Sequence, residues 1–277
     1  MSATDAAVGE RAFAKLNLIL HVGRRRQDGL HPLGSIFASI DLCDEVRVEP
    51  AGSDAVECPG VDEPNLAAAA VTAFRRRVPR LPPLRVQIDK RIPVAAGLGG
   101  GSADAAAVLR AANRLAGDPL DLTTLRELGA ELGSDVPSQL DPRHALVSGT
   151  GEIVEPVELP AFGAVLVPQE TGLSTAAVYA EFDRLGGGRR DLDLEALRML
   201  TREMALLPVL ANDLQPAVLA LRPELAGVLG SLRSAGAMGA LVSGSGPTCF
   251  GLFEDGAAAE TVAAELDGAV AATLRSV

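Results

Sequence analysis

The sequence predicts an α+β protein of two domains, and three observations carry that reading. At 277 residues, against roughly 150 per domain, the chain has room for two domains or one large one. Strand-like and helix-like segments follow one another irregularly and include a hairpin, which favours α+β over a doubly wound parallel sheet. The stretch Glu155 to Pro160 holds two prolines and little periodicity, and a boundary there divides the chain into residues 1–158 and 159–277.

In chain order, Leu16, Leu18 and Leu20 alternate with Lys15, Asn17, Ile19 and His21, the period of a strand with one buried face. Gln27-Asp28-Gly29 is turn chemistry, and Val46 to Val48 signals a second strand. Asn65 opens an Ala-rich helix to Arg77, with Pro64 before it and arginines in its last turn. Leu84 to Ile88 alternates as a strand. The cluster Gly97-Leu98-Gly99-Gly100-Gly101-Ser102 follows, and then helix-forming residues from Ala103 to Ala116. Asp121 caps a helix to Leu132, and Gly133-Ser134-Asp135-Val136-Pro137 forms a polar elbow. Ala145 to Val147 and Ile153 to Val157, joined through Gly149-Thr150-Gly151, read as a hairpin.

Past the boundary, Ala164 to Val167 is a short strand and Ser174 caps a helix to Leu185. Leu192 to Met204 and Pro223 to Ser234 read as helices. Strands Ala240 to Val242 and Cys249 to Phe253 bracket the tight loop Ser243-Gly244-Ser245-Gly246-Pro247. An Ala-rich helix and a strand near Ala269 to Leu274 close the chain.

Composition narrows the function. Apolar residues make up 48% of the chain and charged residues 22%, enough for a sizeable core. A net charge of −11 repels polyanions, and 3% aromatics leave little for base stacking, so nucleic acid and anionic membranes are not expected partners. Three dispersed cysteines with no C-x-x-C pair point to a reducing compartment without a zinc site. The first residues carry Asp5 and Glu10 and no apolar run, so no secretory signal is expected and the location is read as cytoplasmic.

The glycine cluster is the strongest chemical signal. Its backbone, free of Cβ atoms, can turn N–H groups onto phosphate oxygens, and the helix that Ser102 opens adds its positive end. No Gly-Lys-Ser/Thr follows, so it is not a P-loop, and Ser102 stands where a dinucleotide fingerprint needs glycine. Lys15 within an apolar strand either faces solvent at an edge or meets an acidic partner or ligand. Asp135 reads as a helix cap or as a carboxylate aimed into a cleft, a role that gains weight if Lys15 lies beside it. Taken alone, His31 reads as a surface loop residue, and Arg24-Arg25-Arg26 as a solvated run able to meet a phosphate.

Together these residues resemble the small-molecule kinase superfamily named for galactokinase, homoserine kinase, mevalonate kinase and phosphomevalonate kinase. Its three signatures are matched in order by Ala14-Lys15-Leu16-Asn17-Leu18, Pro93 through Ala105, and Val242-Ser243-Gly244-Ser245-Gly246. Arg25 to His31, Asp89 to Pro93, Gly133 to Pro137, Gly149 to Glu152 and Asn212 to Pro216 resemble the branch that phosphorylates a cytidyl-capped methylerythritol.

The resemblance implies a two-domain fold with its active site in the cleft between domains. It implies ATP and Mg²⁺ as cofactors, a small-molecule substrate, and a monomer or homodimer. Asp135 would activate the substrate 2-hydroxyl, with Lys15 paired to it. Asn17, His31, Thr175 and Tyr179 would hold the substrate, His31 at the cytosine. Pro93, Ala95, Ala96 and the run Gly97, Leu98, Gly99, Gly100, Gly101 and Ser102 would wrap the ATP phosphates, with Asn65 near the adenine and Ser102 at the metal. Leu30 stands where the branch usually carries Tyr, Ala103 where it carries a second Ser, and Gln139 where an apolar residue is usual. Two other readings are a kinase for a mevalonate- or homoserine-like alcohol and a non-catalytic nucleotide sensor.

Overall fold

Packing of alanine-rich helices and valine-rich strands organises the chain into two compact units, each assembled from separate stretches. The computed structural model describes residues 7–61, 65–202 and 205–276. The expected Pro64 flank and the helix end at Met204 lie outside them. Strands and helices follow in the order β1 (Val8–Val22), β2 (Leu33–Pro50), β3 (Ala55–Glu57), α1 (Leu66–Arg77), β4 (Leu84–Asp89), α2 (Gly100–Leu115), α3 (Leu122–Ala130) and α4 (Val136–Gln139). The chain continues with β5 (Ala145–Gly149), β6 (Ile153–Pro156), β7 (Gly163–Val167), α5 (Thr175–Arg184), α6 (Leu194–Arg202), β8 (Ala211–Asn212) and α7 (Gln215–Leu221). It ends with α8 (Leu225–Ser234), β9 (Gly239–Val242), β10 (Cys249–Phe253), α9 (Gly256–Glu265) and β11 (Val270–Thr273). The architecture is the α+β type that the element pattern predicts.

The first unit takes residues up to Ala14, Leu42–Val94 and Gly99–Pro142. In it, Glu45 to Pro50 of β2 pairs antiparallel with β4, and β3 lies parallel to β4 on the other side. Helices α1 and α2 pack on each other, and Ala67, Ala70, Ala73, Ala103, Ala106 and Ala107 are buried in the apolar cluster they share. Small side chains let the two backbones approach closely, so this core holds few rings. Phe74, fully buried, is the largest of its side chains. The expected cap is present: Asn65 Oδ1 accepts the Ala67 N–H at 2.8 Å.

The second unit takes Lys15–Asp41, Ala95–Leu98 and the chain from Arg143 onward, so the expected boundary at 158 falls inside it, between β6 and β7. An antiparallel sheet in the order β11-β7-β10-β9 is its centre, backed by α8 and α9. Leu33 to Phe37 of β2 pairs with β5, which forms the predicted hairpin with β6.

The alternation around Lys15 predicts one buried face, and there the structure differs. β1 pairs with β8 only at Ile19 and Leu20, but every residue from Ala12 to Leu20, Lys15 included, is buried, so side chains on both faces of the strand are covered there. The solvent-facing reading of Lys15 is therefore overturned. Helix α7 and strand β8 carry no local pattern strong enough to announce them.

Candidate functional site

Burial decides the first candidate, because Lys15 is only 5% exposed and Asn17 2%. Lys15 Nζ donates to Asn17 Oδ1 at 2.6 Å and sits 4.6 Å from the centre of the Phe37 ring. A buried ammonium needs such partners, and an aromatic face supplies part of the compensation. Gly244, at φ 54°, lies against the pair: a Cβ there would stand 3.2 Å from Asn17 Oδ1 and 3.5 Å from Lys15 Nζ.

The glycine run begins in the second unit. Gly97 adopts φ 76°, a conformation open to glycine at little cost, and Leu98 O accepts the Lys15 N–H at 3.0 Å. Ala96 O accepts the N–H of Thr248, so the segment lies along the loop between β9 and β10. Asn212 braces that loop, donating to Val242 O and Gly244 O at 2.8 Å each and accepting the Leu214 N–H. Gln215 Oε1 accepts the Val242 N–H. The run Asn212 to Pro216 thus serves the small-residue loop, a role that only the fold reveals.

His31 corrects the surface-loop reading, being 8% exposed. Its Nδ1 faces Gly23 O at 2.9 Å and its Nε2 faces Asp183 Oδ1 at 3.3 Å. Its ring centre lies 5.1 Å from that of Tyr179 and 5.9 Å from that of Phe182. Thr175 is exposed one turn before Tyr179 on α5, and its hydroxyl meets Ser245 Oγ at 3.0 Å. Leu30, beside His31, is 52% exposed. Arg24, Arg25 and Arg26 are exposed as expected, with Arg26 paired to Asp28 at 2.8 Å.

In the first unit the glycines divide their labour differently from the sequence expectation. Gly99 is left-handed at φ 74°, but Gly100 and Gly101 already belong to the first turn of α2, which opens at Gly100 rather than at Ser102. Low helix propensity reads these glycines as loop, yet two of them are accommodated in the first turn of α2 at a cost of roughly 1 kcal/mol each. Ser102 is half-buried in that turn, Pro93 and Asn65 are half-buried, Ala95 is exposed, and Ala96 in the second unit is buried. Asp135 precedes α4, half-buried, and its side chain makes no capping bond, so the cap reading does not hold.

One cluster escaped the sequence reading. Lys90 Nζ lies 2.8 Å from Asp104 Oδ2 and 2.5 Å from Asp44 Oδ2, while Asp44 Oδ1 accepts the N–H groups of Arg91 and Ile92. It ties β2 and the strand exit after β4 to the start of α2. Burial pushes Asp104 up to about 7, Lys90 pulling the other way and the charge of Asp44 adding to the rise. Three charges far apart in sequence leave no local signal.

Comparison with known proteins decides the family. The model for the GHMP kinase N-terminal domain matches residues 65–141, and that for the C-terminal domain matches residues 190–272. A curated Nocardia farcinica protein named 4-diphosphocytidyl-2-C-methyl-D-erythritol kinase is 44% identical, over 100% of this chain and 95% of its own length. The chain belongs to the GHMP kinase family.

A Streptomyces avermitilis protein of the same name is 42% identical over 94% of this GHMP kinase and 92% of its own length. A crystal structure of 4-(cytidine 5'-diphospho)-2C-methyl-D-erythritol kinase superposes with a TM-score of 0.83 at 36% identity, covering 98% of this chain and 100% of that one. L. major mevalonate kinase, at 16% identity and a TM-score of 0.72, shares the fold. Among the described residues of this GHMP kinase no helix is long and apolar enough to cross a membrane, and no group of three or more His, Cys, Asp or Glu side chains could hold a metal. Ser102 offers a single hydroxyl and Asp104 is engaged by Lys90, a donor set that suits a cation carried in by nucleotide phosphates.

Proposed function

We propose that this GHMP kinase transfers the γ-phosphoryl group of ATP to the 2-hydroxyl of 4-diphosphocytidyl-2-C-methyl-D-erythritol. The products are the 2-phosphate and ADP, in the non-mevalonate route to isoprenoid precursors. The observation that carries the reading is the 44% identity, over the whole chain, to a kinase named for that substrate. Likeness to mevalonate kinase at 16% identity supports a common fold and not a common substrate.

The roles of individual residues follow from the signatures and are part of the proposal. Asp135 activates the acceptor hydroxyl, and Lys15 supplies a catalytic cation. Asn17 and Thr175 orient the acceptor, and His31 and Tyr179 receive the cytosine, an aromatic pair able to replace the ring missing at Leu30. Asn65, Pro93 and Ala95 through Ser102 receive ATP, whose charge is met by backbone N–H groups at the first turn of α2. Mg²⁺ would enter with the nucleotide and neutralise phosphate charge, with the Ser102 hydroxyl within its reach. Phosphoryl transfer depends on in-line positioning and charge stabilisation, and these residue types supply both. Three unpaired cysteines support a reducing, cytoplasmic setting.

The test is ADP release measured with cytidyl-capped methylerythritol, mevalonate and homoserine offered separately. Turnover is expected with the first alone. No turnover on it, together with turnover on either of the others, would replace the substrate proposed here.

A further inference from the structure

Asn17 Nδ2 donates to Ser35 Oγ at 2.9 Å, and Ser35 Oγ donates to Ile19 O at 2.6 Å. Ser35 is fully buried on β2, and neither Asn17 nor Lys15 has appreciable access to water. A serine hydroxyl carries one hydrogen. That hydrogen is committed to Ile19 O, so Ser35 meets Asn17 only as an acceptor, and the Asn17 side that faces it must be the NH₂ group. The amide oxygen is thereby turned toward Lys15 Nζ, 2.6 Å away. Were the amide reversed, its NH₂ group would point at the ammonium, donor against donor, while its oxygen faced a hydroxyl with no hydrogen left to give.

We infer that Ser35 is a positioning residue for the reaction: it sets the polarity of the Asn17 amide and, through that amide, the place of the Lys15 ammonium. The chain of contacts runs from the Ile19 carbonyl through Ser35 and Asn17 to Lys15, entirely within the second unit. Phe37 bounds the ammonium on one side, and Gly244 leaves room at the amide oxygen. Buried polar chains of this kind hold one arrangement because every alternative leaves a desolvated group unpaired. The inference rests on the proposed role of Lys15 in turnover.

The experiment is a double-mutant cycle on kcat, with KM for ATP followed alongside. Ser35→Ala is expected to lower kcat about tenfold, the effect of losing one hydrogen bond beside a charge, with KM for ATP unchanged. Ser35→Thr, which keeps the hydroxyl, is expected to stay within about threefold of the parent. In an Asn17→Ala background, Ser35→Ala should lower kcat no further, because the group it orients is gone. An unchanged kcat in Ser35→Ala, or the same loss repeated without Asn17, would overturn the inference. If Ser35→Ala does not fold, Ser35→Cys takes its place in the cycle, its thiol keeping a γ atom but accepting poorly. Lys15→Met separates the two readings. Full turnover in that variant removes the role of Lys15 itself, whereas loss there with no effect at Ser35 removes only the relay.

Discussion

Ser243 donates its hydroxyl hydrogen bond to Gly97 O at 2.9 Å, and a Cβ on Gly97 would lie 2.2 Å from Ser243 O. Gly246 O and N stand 2.9 and 3.0 Å from the same point. The second signature therefore meets the third backbone to backbone, with no space for a side chain.

Gly97→Ala combines a left-handed backbone with a clash against main-chain atoms that cannot swing away. A loss of roughly 2–5 kcal/mol is expected. Thermal or urea unfolding measures it, and an unchanged midpoint would show that the two loops separate freely.

Asp135→Asn keeps the shape of the side chain and removes its charge. Phosphoryl transfer should fall about 10²–10⁴-fold, the range for a positioned acid–base group, while ATP binding stays near the parent value. Single-turnover kinetics and nucleotide titration check the two halves, and undiminished turnover would end the proposed role.

Lys90→Met strands Asp44 and Asp104 without their cation and should cost roughly 3–5 kcal/mol at pH 8, as breaking a buried ion pair does. The cost should shrink near pH 4. Asp104, pushed up to about 7 from 3.8, holds a proton in the folded state that the unfolded chain releases between those values. Its contribution to stability therefore falls as pH rises through that window. The unfolding free energy of Asp104→Asn minus that of the parent should accordingly increase from pH 4 to pH 8.

His144 has the opposite sign. Its Nδ1 accepts the Ser39 N–H at 3.1 Å, so its single proton sits on Nε2 and is donated to Arg275 O at 2.7 Å. Burial lowers its pKa below 6.5, so the unfolded chain binds the proton first and stability is lost as pH falls from 6.5 through the folded value. His144→Gln should be less stable than the parent at pH 7.5 by about 1–3 kcal/mol. That gap should narrow toward pH 5, as denaturant unfolding at the two pH values will show.

Local motifs were the legible part. The Asn65 and Asp121 caps, the β5–β6 hairpin and the strands around Ser243 to Gly246 stand where their sequences place them, because each depends on residues within a few positions of one another. What failed to show were relations across long separations. The alternation at Lys15 predicts one covered face, but the fold buries the residues of both faces from Ala12 to Leu20. His31, beside a turn, is buried against Tyr179 and Phe182 from α5.

By itself, the sequence determined the α+β class, the order of most elements and the three short signatures, since backbone propensity and glycine conformation act over a few residues. Only the tertiary structure decided that Lys15, Asn17 and Ser35 form one buried hydrogen-bonded chain, and that Lys90 lies between Asp44 and Asp104. Strand register and helix packing bring those groups together. The cost of leaving a buried charge unpaired holds them there, and neither is written in any local pattern.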